Sequence, residues 1–293
     1  MIKSGFISII GKPNVGKSTL LNALIGTKVA ITSPKSSTTR DRITAILNTQ
    51  DYQMIFVDTP GMKKSKHLLG KTIDKTAVNA ISDVDCLLMV VDRPFHLQDQ
   101  LIIDRLKNVK TPVILVINKI DMLANASAID EIIISFIDKY EFSQVVPISA
   151  MDQTHLQHLK TAILSHLPQG PRYFPEDYVS DQSNEKLTAE IIREKILYYT
   201  EQEVPHSVAV VIEKVEENLE MKTLDVSALI IVERQTQKQI LIGKGGSKLK
   251  MIGTQARQDI NQLLKVKTHL TLWIKVKKDW RNNQGELKRY GYS

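Results

Sequence analysis

The sequence predicts two domains of different class: an α/β domain whose sheet is mostly parallel with one antiparallel edge strand, then a smaller α+β domain. Three observations carry this. Short apolar runs alternate with amphipathic stretches through residue 168, a segment broken by prolines follows, and beyond it both rhythm and charge change. The length of 293 residues fits two domains, and 42% hydrophobic residues is too many for a disordered chain.

Strands are expected at residues 6–10, 43–47, 54–58, 84–91, 113–118 and 145–148, with helical patterns between most of them. Strands separated by helices form a sheet covered on both faces. The polar stretch 48–53 joins the second and third strands too closely for a crossover helix, so these two form a hairpin and supply the antiparallel edge. Leu156, Leu159, Ile163 and Leu167 fall at helical spacing and close the unit. Pro168, Pro171 and Pro175 exclude a continuous helix, which places the first domain at 1–168, a linker at 169–184 and the second domain at 185–293. In the second domain a helix is expected over 187–201 and strands over 208–215 and 228–232. Ile240, Leu241 and Ile242 then run into a glycine cluster. A helix follows over 247–264, which Gly253 could break, and a strand over 270–276. In that last strand Leu270, Leu272, Ile274 and Val276 alternate with Thr271, Trp273, Lys275 and Lys277, so the first set faces the core.

Charge separates along the chain. Residues 1–180 carry 20 Lys/Arg against 17 Asp/Glu, residues 181–233 carry 5 against 12, and residues 234–293 carry 14 against 3. A basic block at the C-terminal end suits a polyanion. No apolar run reaches the roughly 18 residues of a membrane span. The N-terminus lacks the apolar core of a signal peptide. The lone Cys86 excludes a disulfide within one chain and, in an apolar run, reads as a buried inert thiol. A cytosolic monomer is expected.

Gly11, Lys12, Pro13, Asn14, Val15, Gly16, Lys17 and Ser18, with Thr19 after them, match G-x-x-x-x-G-K-[ST] between a strand and a helix. The glycines let backbone N–H groups curl around a β-phosphate at a helix N-terminus. Lys17 brings a positive charge to the β- and γ-phosphates, and the Ser18 hydroxyl suits Mg²⁺. Asp58, Thr59, Pro60 and Gly61, with Met62 behind them, end the third strand. Asp58 would hold Mg²⁺ through a water, and Gly61 can bring an N–H to the γ-phosphate. Thr38 and Thr39 lie in the polar stretch 32–41. One of them, with Thr39 favoured, would complete the Mg²⁺ shell when a γ-phosphate is present. Lys17, Thr39 and Gly61 are therefore the candidate catalytic residues.

Asn118, Lys119, Ile120 and Asp121 follow the fifth strand. A carboxylate at Asp121 accepts both the N1–H and the amine of guanine, a pair adenine lacks. Asn118 could bond the other base edge, and the Lys119 stem could lie over the ring. Ser149 and Ala150 could offer a backbone N–H to the guanine oxygen. GTP is thus expected over ATP. Ras-like switches place glutamine where this chain has Met62, which cannot orient the attacking water, so slow intrinsic turnover is expected. Residues 32–41 and 62–70 are expected to switch with γ-phosphate loss. The second stretch carries Lys63, Lys64, Lys66 and His67 as a solvated loop or partner contact.

These motifs resemble the translation-factor-related GTPases. Pro13-Asn14, Thr38-Thr39-Arg40 and Asp58-Thr59-Pro60-Gly61 resemble the Era family, and the similarity runs from Phe6 to Tyr292. The resemblance implies an α/β P-loop GTPase domain followed by an α+β type II KH domain. Gly243, Lys244, Gly245 and Gly246 fit the G-x-x-G loop with which KH domains clamp single-stranded nucleic acid. Lys244, Lys248 and Lys250 add charge, the apolar residues through Ile242 could line a groove for bases, and Trp273 among lysines, Lys275 included, could stack on a base or pack on a neighbour. The expected order is helix-strand-strand-helix-strand. In the tail, Leu287 and Tyr290 are expected as packing anchors by resemblance. The family further implies a potassium ion held partly by Asn14, binding to the 3′ end of small-subunit ribosomal RNA on the small ribosomal subunit, and loose association with the inner face of the membrane. The alternative reading is a GTPase whose basic second domain docks a protein or an anionic membrane.

Overall fold

The computed structural model describes residues 1–35, 38–40, 42–58, 60, 67–72, 84–107, 109–218 and 220–292. They form two compact units divided after Asp181; of the earlier residues, 31–35, 38 and 67–72 belong with the second unit.

The first unit is a sheet of β2 (Ile43–Asn48), β3 (Tyr52–Asp58), β1 (Ile2–Gly11), β4 (Cys86–Val91), β5 (Val113–Ile117) and β6 (Gln144–Pro147), in that spatial order. Ladders β3–β1, β1–β4, β4–β5 and β5–β6 are parallel, and β2 pairs antiparallel with β3 at the edge, as the hairpin predicts. Every residue of β4 and β5 is buried, which explains why these strands read as unbroken apolar runs. One face packs α1 (Lys17–Ile25) and α4 (Leu156–His166), with Leu20, Leu24, Leu159 and Ile163 against Ile7, Ile9 and Val116. The other packs α2 (Leu97–Leu106) and α3 (Ser127–Ile137), with Ile102, Ile103 and Phe136 against Leu87, Met89 and Leu115. Cys86 is buried, and burial pushes its thiol up to about 12, as an inert thiol requires.

The linker expected at 169–184 is in large part a strap on this unit. The short β7 (Gln169–Gly170) pairs antiparallel with β1. Tyr173 and Phe174 donate their N–H groups to Gln53 Oε1 at 2.7 and 3.1 Å. Ile46 N–H reaches the Val179 carbonyl and Asp181 N–H the Thr44 carbonyl, so residues through 181 lie along the β2 edge. The prolines do prevent a helix, but backbone groups freed from helical bonding find sheet partners instead.

The second unit is a three-stranded sheet in the order β10-β9-β8, formed by β8 (Ala209–Asn218), β9 (Thr223–Val232) and β10 (Thr268–Val276). β8 runs antiparallel and β10 parallel to β9. α5 (Asn184–Tyr199), capped by the Ser183 hydroxyl, and α8 (Ser247–Leu264) cover one face, with Ile192, Ile196, Ile252 and Ile260 in the core. α6 (Val204–Ser207) leads into β8. α8 is continuous: Gly253 does not break it, and a Cβ there would make ordinary contact with Leu272 at 3.4 Å.

The expected element order also needs correction. α7 (Gln235–Ile242) lies ahead of the glycine cluster, giving helix-strand-strand-helix-helix-strand around the core. Its polar first half hides it, although Gln237 Oε1 caps it by accepting from Glu233 and Arg234 N–H at 2.9 and 3.0 Å. Leu241, expected in a groove, is a core residue. Near the C-terminus α9 (Gln284–Arg289) follows buried Trp280, whose indole N–H donates to the Ser207 carbonyl at 3.0 Å. Leu287 is buried as expected. Tyr290 packs edge-on to Trp280, and Tyr292, which no motif singled out, stacks on it.

Candidate nucleotide and RNA sites

The phosphate loop leaves β1 and enters α1 with a backbone only glycine tolerates at two points. Gly11 has φ +153°, and a Cβ there would meet the Val90 carbonyl oxygen at 2.5 Å. Gly16 has φ +95°, and a Cβ would meet Asn118 Nδ2 at 2.2 Å. Asn14 takes φ 67°. The loop's carbonyls are bound by side chains: Gly11 and Lys12 by Lys17 Nζ at 3.1 and 2.7 Å, Asn14 by Lys119 Nζ at 2.6 Å, and Val15 by Asn118 Nδ2 at 2.9 Å. Carbonyls fixed to one side leave the alternate peptide N–H groups to the other, the arrangement an anion needs.

Lys17 is buried, and desolvation lowers its ammonium pKa from 10.5 to about 8, against the opposing pull of Asp58 and Asp92. The folded chain therefore holds fewer protons than the unfolded one between pH 8 and 10.5, and stability rises with pH across that window. A bound phosphate reverses the sign by favouring the charged amine, so affinity falls as pH climbs past about 8. Calorimetric titration of GDP at about pH 8.5, in buffers of different ionisation enthalpy, should register net proton uptake on binding. No buffer dependence would remove Lys17 from phosphate contact.

Ser18 Oγ lies 2.8 Å from Thr39 Oγ1 and 2.9 Å from Asp58 Oδ2, and Thr39 Oγ1 is 3.5 Å from the same carboxylate. One carboxylate and two hydroxyls fit Mg²⁺, which uses few protein oxygens alongside phosphate and water. Thr38 differs: its hydroxyl donates to the Lys35 carbonyl at 2.7 Å, and its own carbonyl accepts from Arg193. Among the described residues the geometry thus brings Thr39 and not Thr38 to Ser18 and Asp58. Thr59, Gly61 and Met62 lie outside the described residues, as do Asp41, Lys63, Lys64 and Lys66; Pro60 is buried.

At the base end, Lys119 takes the left-handed conformation and opens the turn Ile120–Met122, which carries Asp121 exposed to solvent. Asn118 Oδ1 accepts the Ala150 N–H at 3.0 Å, and the Ser149 N–H goes to the Thr154 carbonyl at 3.2 Å. Both N–H groups expected to serve the guanine oxygen thus have protein partners, and Asn118 uses its amide nitrogen on Val15 and its amide oxygen on Ala150 to tie the two loops together. Pattern reading missed Asp92 and Asp99. Asp92 pairs with Lys119, and Asp99 with Lys12, each at 2.6 Å. Neither sits in a recognisable motif.

In the second unit Gly243, Gly245 and Gly246 all have positive φ, between α7 and the N-terminus of α8. Lys244 and Lys250 are exposed, Ile242 and Lys248 half-buried. On β10, Lys275 is exposed and Trp273 is 60% exposed, its ring not consumed by packing. Pattern reading also missed the hold on Thr32 and Thr38: Glu194 Oε1 accepts the Thr32 N–H at 2.8 Å, and Arg193, paired with Glu190, binds the Thr38 carbonyl.

Residues 6–119 match the family model of the 50S ribosome-binding GTPase, and residues 203–281 that of the KH domain. GTPase Era of Alkaliphilus oremlandii is 46% identical over 99% of this chain and 99% of that protein. GTPase Era of Caldanaerobacter subterraneus subsp. tengcongensis is 47% identical over 99% and 98%. A crystal structure of a point variant of Aquifex aeolicus Era bound to GDP.AlF4- superposes with a TM-score of 0.96 at 40% identity, covering 100% of both chains. A crystal structure of Era in complex with MgGDPNP and nucleotides 1506–1542 of 16S ribosomal RNA superposes with the same TM-score, identity and coverage.

Proposed function

The chain belongs to the Era family of GTPases, and from that premise we propose that it is a GTP-hydrolysing switch that binds the 3′ end of small-subunit ribosomal RNA through its KH domain during assembly of the small subunit. One observation carries the nucleotide half of this reading. The base-reading segment and the phosphate loop grip each other, Lys119 on the Asn14 carbonyl and Asn118 on that of Val15, so both face one molecule. Asp121 reads guanine, Lys17 neutralises phosphate charge, and Ser18, Thr39 and Asp58 would hold Mg²⁺, which would supply further neutralisation of the phosphate charge. Gly61 offers its N–H to the γ-phosphate.

Met62 leaves the attacking water without an orienting side chain, so turnover is slow and depends on electrostatics. Asn14, whose backbone is left-handed at φ 67°, would share in holding potassium. Replacing potassium by sodium should slow GTP turnover several-fold; equal rates in the two salts count against this ion.

The relative solved with a 16S ribosomal RNA fragment, together with the basic block at 234–293, supports RNA as the polyanion. Among the described residues no helix is long and apolar enough to cross a membrane. Crosslinking in cells followed by sequencing of the bound RNA should enrich the 3′ end of the small-subunit RNA. Enrichment elsewhere, or capture by acidic vesicles with no RNA, overturns the reading in favour of another partner.

A further inference from the structure

Residues 92–99, the connection from β4 and the first turn of α2, match no nucleotide-binding motif, yet they send two carboxylates to the phosphate loop. Asp99 Oδ2 accepts Lys12 Nζ at 2.6 Å and the His96 N–H at 2.9 Å, so one oxygen both caps α2 and pairs with the loop lysine. The pair is deeply buried, Lys12 being 6% and Asp99 1% exposed. Asp92 Oδ2 accepts Lys119 Nζ at 2.6 Å, and Lys119 in turn binds the Asn14 carbonyl.

Lys12 occupies a loop built for anions, yet its ammonium is committed to a carboxylate. Meanwhile its backbone carbonyl accepts Lys17 Nζ at 2.7 Å. A buried ion pair is a poor source of stability, because apolar residues of like volume usually do as well or better. What such a pair supplies is a fixed position. We propose that Asp99 is a positioning residue for nucleotide binding: it pins the Lys12 side chain, and thereby the carbonyl that holds the Lys17 ammonium in place. Asp92 does the same for the far side of the loop through Lys119. The two tethers meet the loop at residues 12 and 14, on either side of Pro13, and together set the direction of the peptide N–H groups that receive phosphate. This inference rests on the nucleotide-site reading above.

The test measures release of N-methylanthraniloyl-GDP, chased with excess GDP, alongside urea unfolding of the full chain. Asp99→Leu alone leaves a buried unpaired ammonium and should unfold at lower urea. The double variant Lys12→Met/Asp99→Asn removes both charges, keeps a side-chain oxygen to cap α2 and should recover the wild-type midpoint, yet release nucleotide roughly ten- to a hundredfold faster, since small misplacements of binding groups carry effects of that size. Asp99→Glu keeps a carboxylate for Lys12 and should release nucleotide more slowly than Asp99→Leu. A double variant that recovers its midpoint and also releases at the wild-type rate makes the pair purely structural and overturns the proposal. So does Asp99→Glu releasing as fast as Asp99→Leu, a comparison that stands even if the double variant does not fold. A wild-type chain that fails to bind the labelled GDP would instead sink the nucleotide site itself.

Discussion

Replacing Asp121 by asparagine is expected to transfer the preference of the site from GTP to xanthosine triphosphate. In the proposed reading the Asp121 carboxylate accepts the N1–H and the exocyclic amine of guanine; an asparagine amide would present a donor to that amine and lose one of the two bonds. Xanthine carries an oxygen where guanine carries the amine, and the amide donor then finds an acceptor. Sites built on paired hydrogen bonds reject the wrong partner by roughly 10⁴-fold, because a polar group is left unmatched in a dry pocket. GTP affinity should fall by roughly two to four orders of magnitude, while xanthosine triphosphate should bind within about tenfold of wild-type GTP. Asp121 is exposed on a short turn, so the exchange should leave the fold intact. Competition binding with the two triphosphates measures the ratio. An unchanged ratio with the fold intact would remove Asp121 from base recognition and reopen an ATP-using enzyme.

The second large effect is expected at the glycine loop, and the structure dictates which glycine to change. A Cβ at Gly243 would meet Lys248 Cβ at 2.8 Å and its N at 3.1 Å, so a substitution there strains the loop before any ligand arrives. Gly245 has φ +59°, within the left-handed region that aspartate tolerates better than most residues, and nothing lies within 4 Å of its ideal Cβ. Gly245→Asp therefore keeps the loop while placing a side chain and a negative charge where a phosphodiester backbone must approach. Single-stranded RNA affinity should drop by roughly 30- to 100-fold at low salt, with the thermal melt little changed. The remaining binding should weaken less steeply as salt rises, since fewer phosphates are neutralised. Wild-type affinity in a folded Gly245→Asp chain would place the RNA surface elsewhere on the second unit.

Both effects fall on residues whose importance was legible before any coordinates. The phosphate loop, the Asn118–Asp121 segment and the glycine cluster impose demands that are local in sequence. A positive φ calls for glycine, and a helix start calls for an N-terminal turn with open N–H groups. β4 and β5 were legible for a related reason, since strands buried on both faces carry no polar positions. Less legible was α7, where Gln235, Thr236, Gln237 and Lys238 give no apolar period and its cap is made by a glutamine reaching back. The stretch at 169–181 was read as linker because its prolines forbid helix, and nothing local says that Gln53 and the β2 edge await it.

By itself the sequence determined the two-domain class, the order of the first sheet's strands along the chain, the phosphate and base segments and the basic C-terminal block. Each of these follows from spacing within a few residues or from composition. Only the tertiary structure decided that Lys12 turns to Asp99 across 87 positions, that Lys119 pairs with Asp92, that Thr39 and not Thr38 meets Ser18 and Asp58, and that Trp280 is a core anchor ringed by Tyr290 and Tyr292. The physical reason is that a partner across the fold leaves no periodic trace in the chain: an aspartate that pins a loop and one that merely meets water are the same letter until the strands between them are stacked.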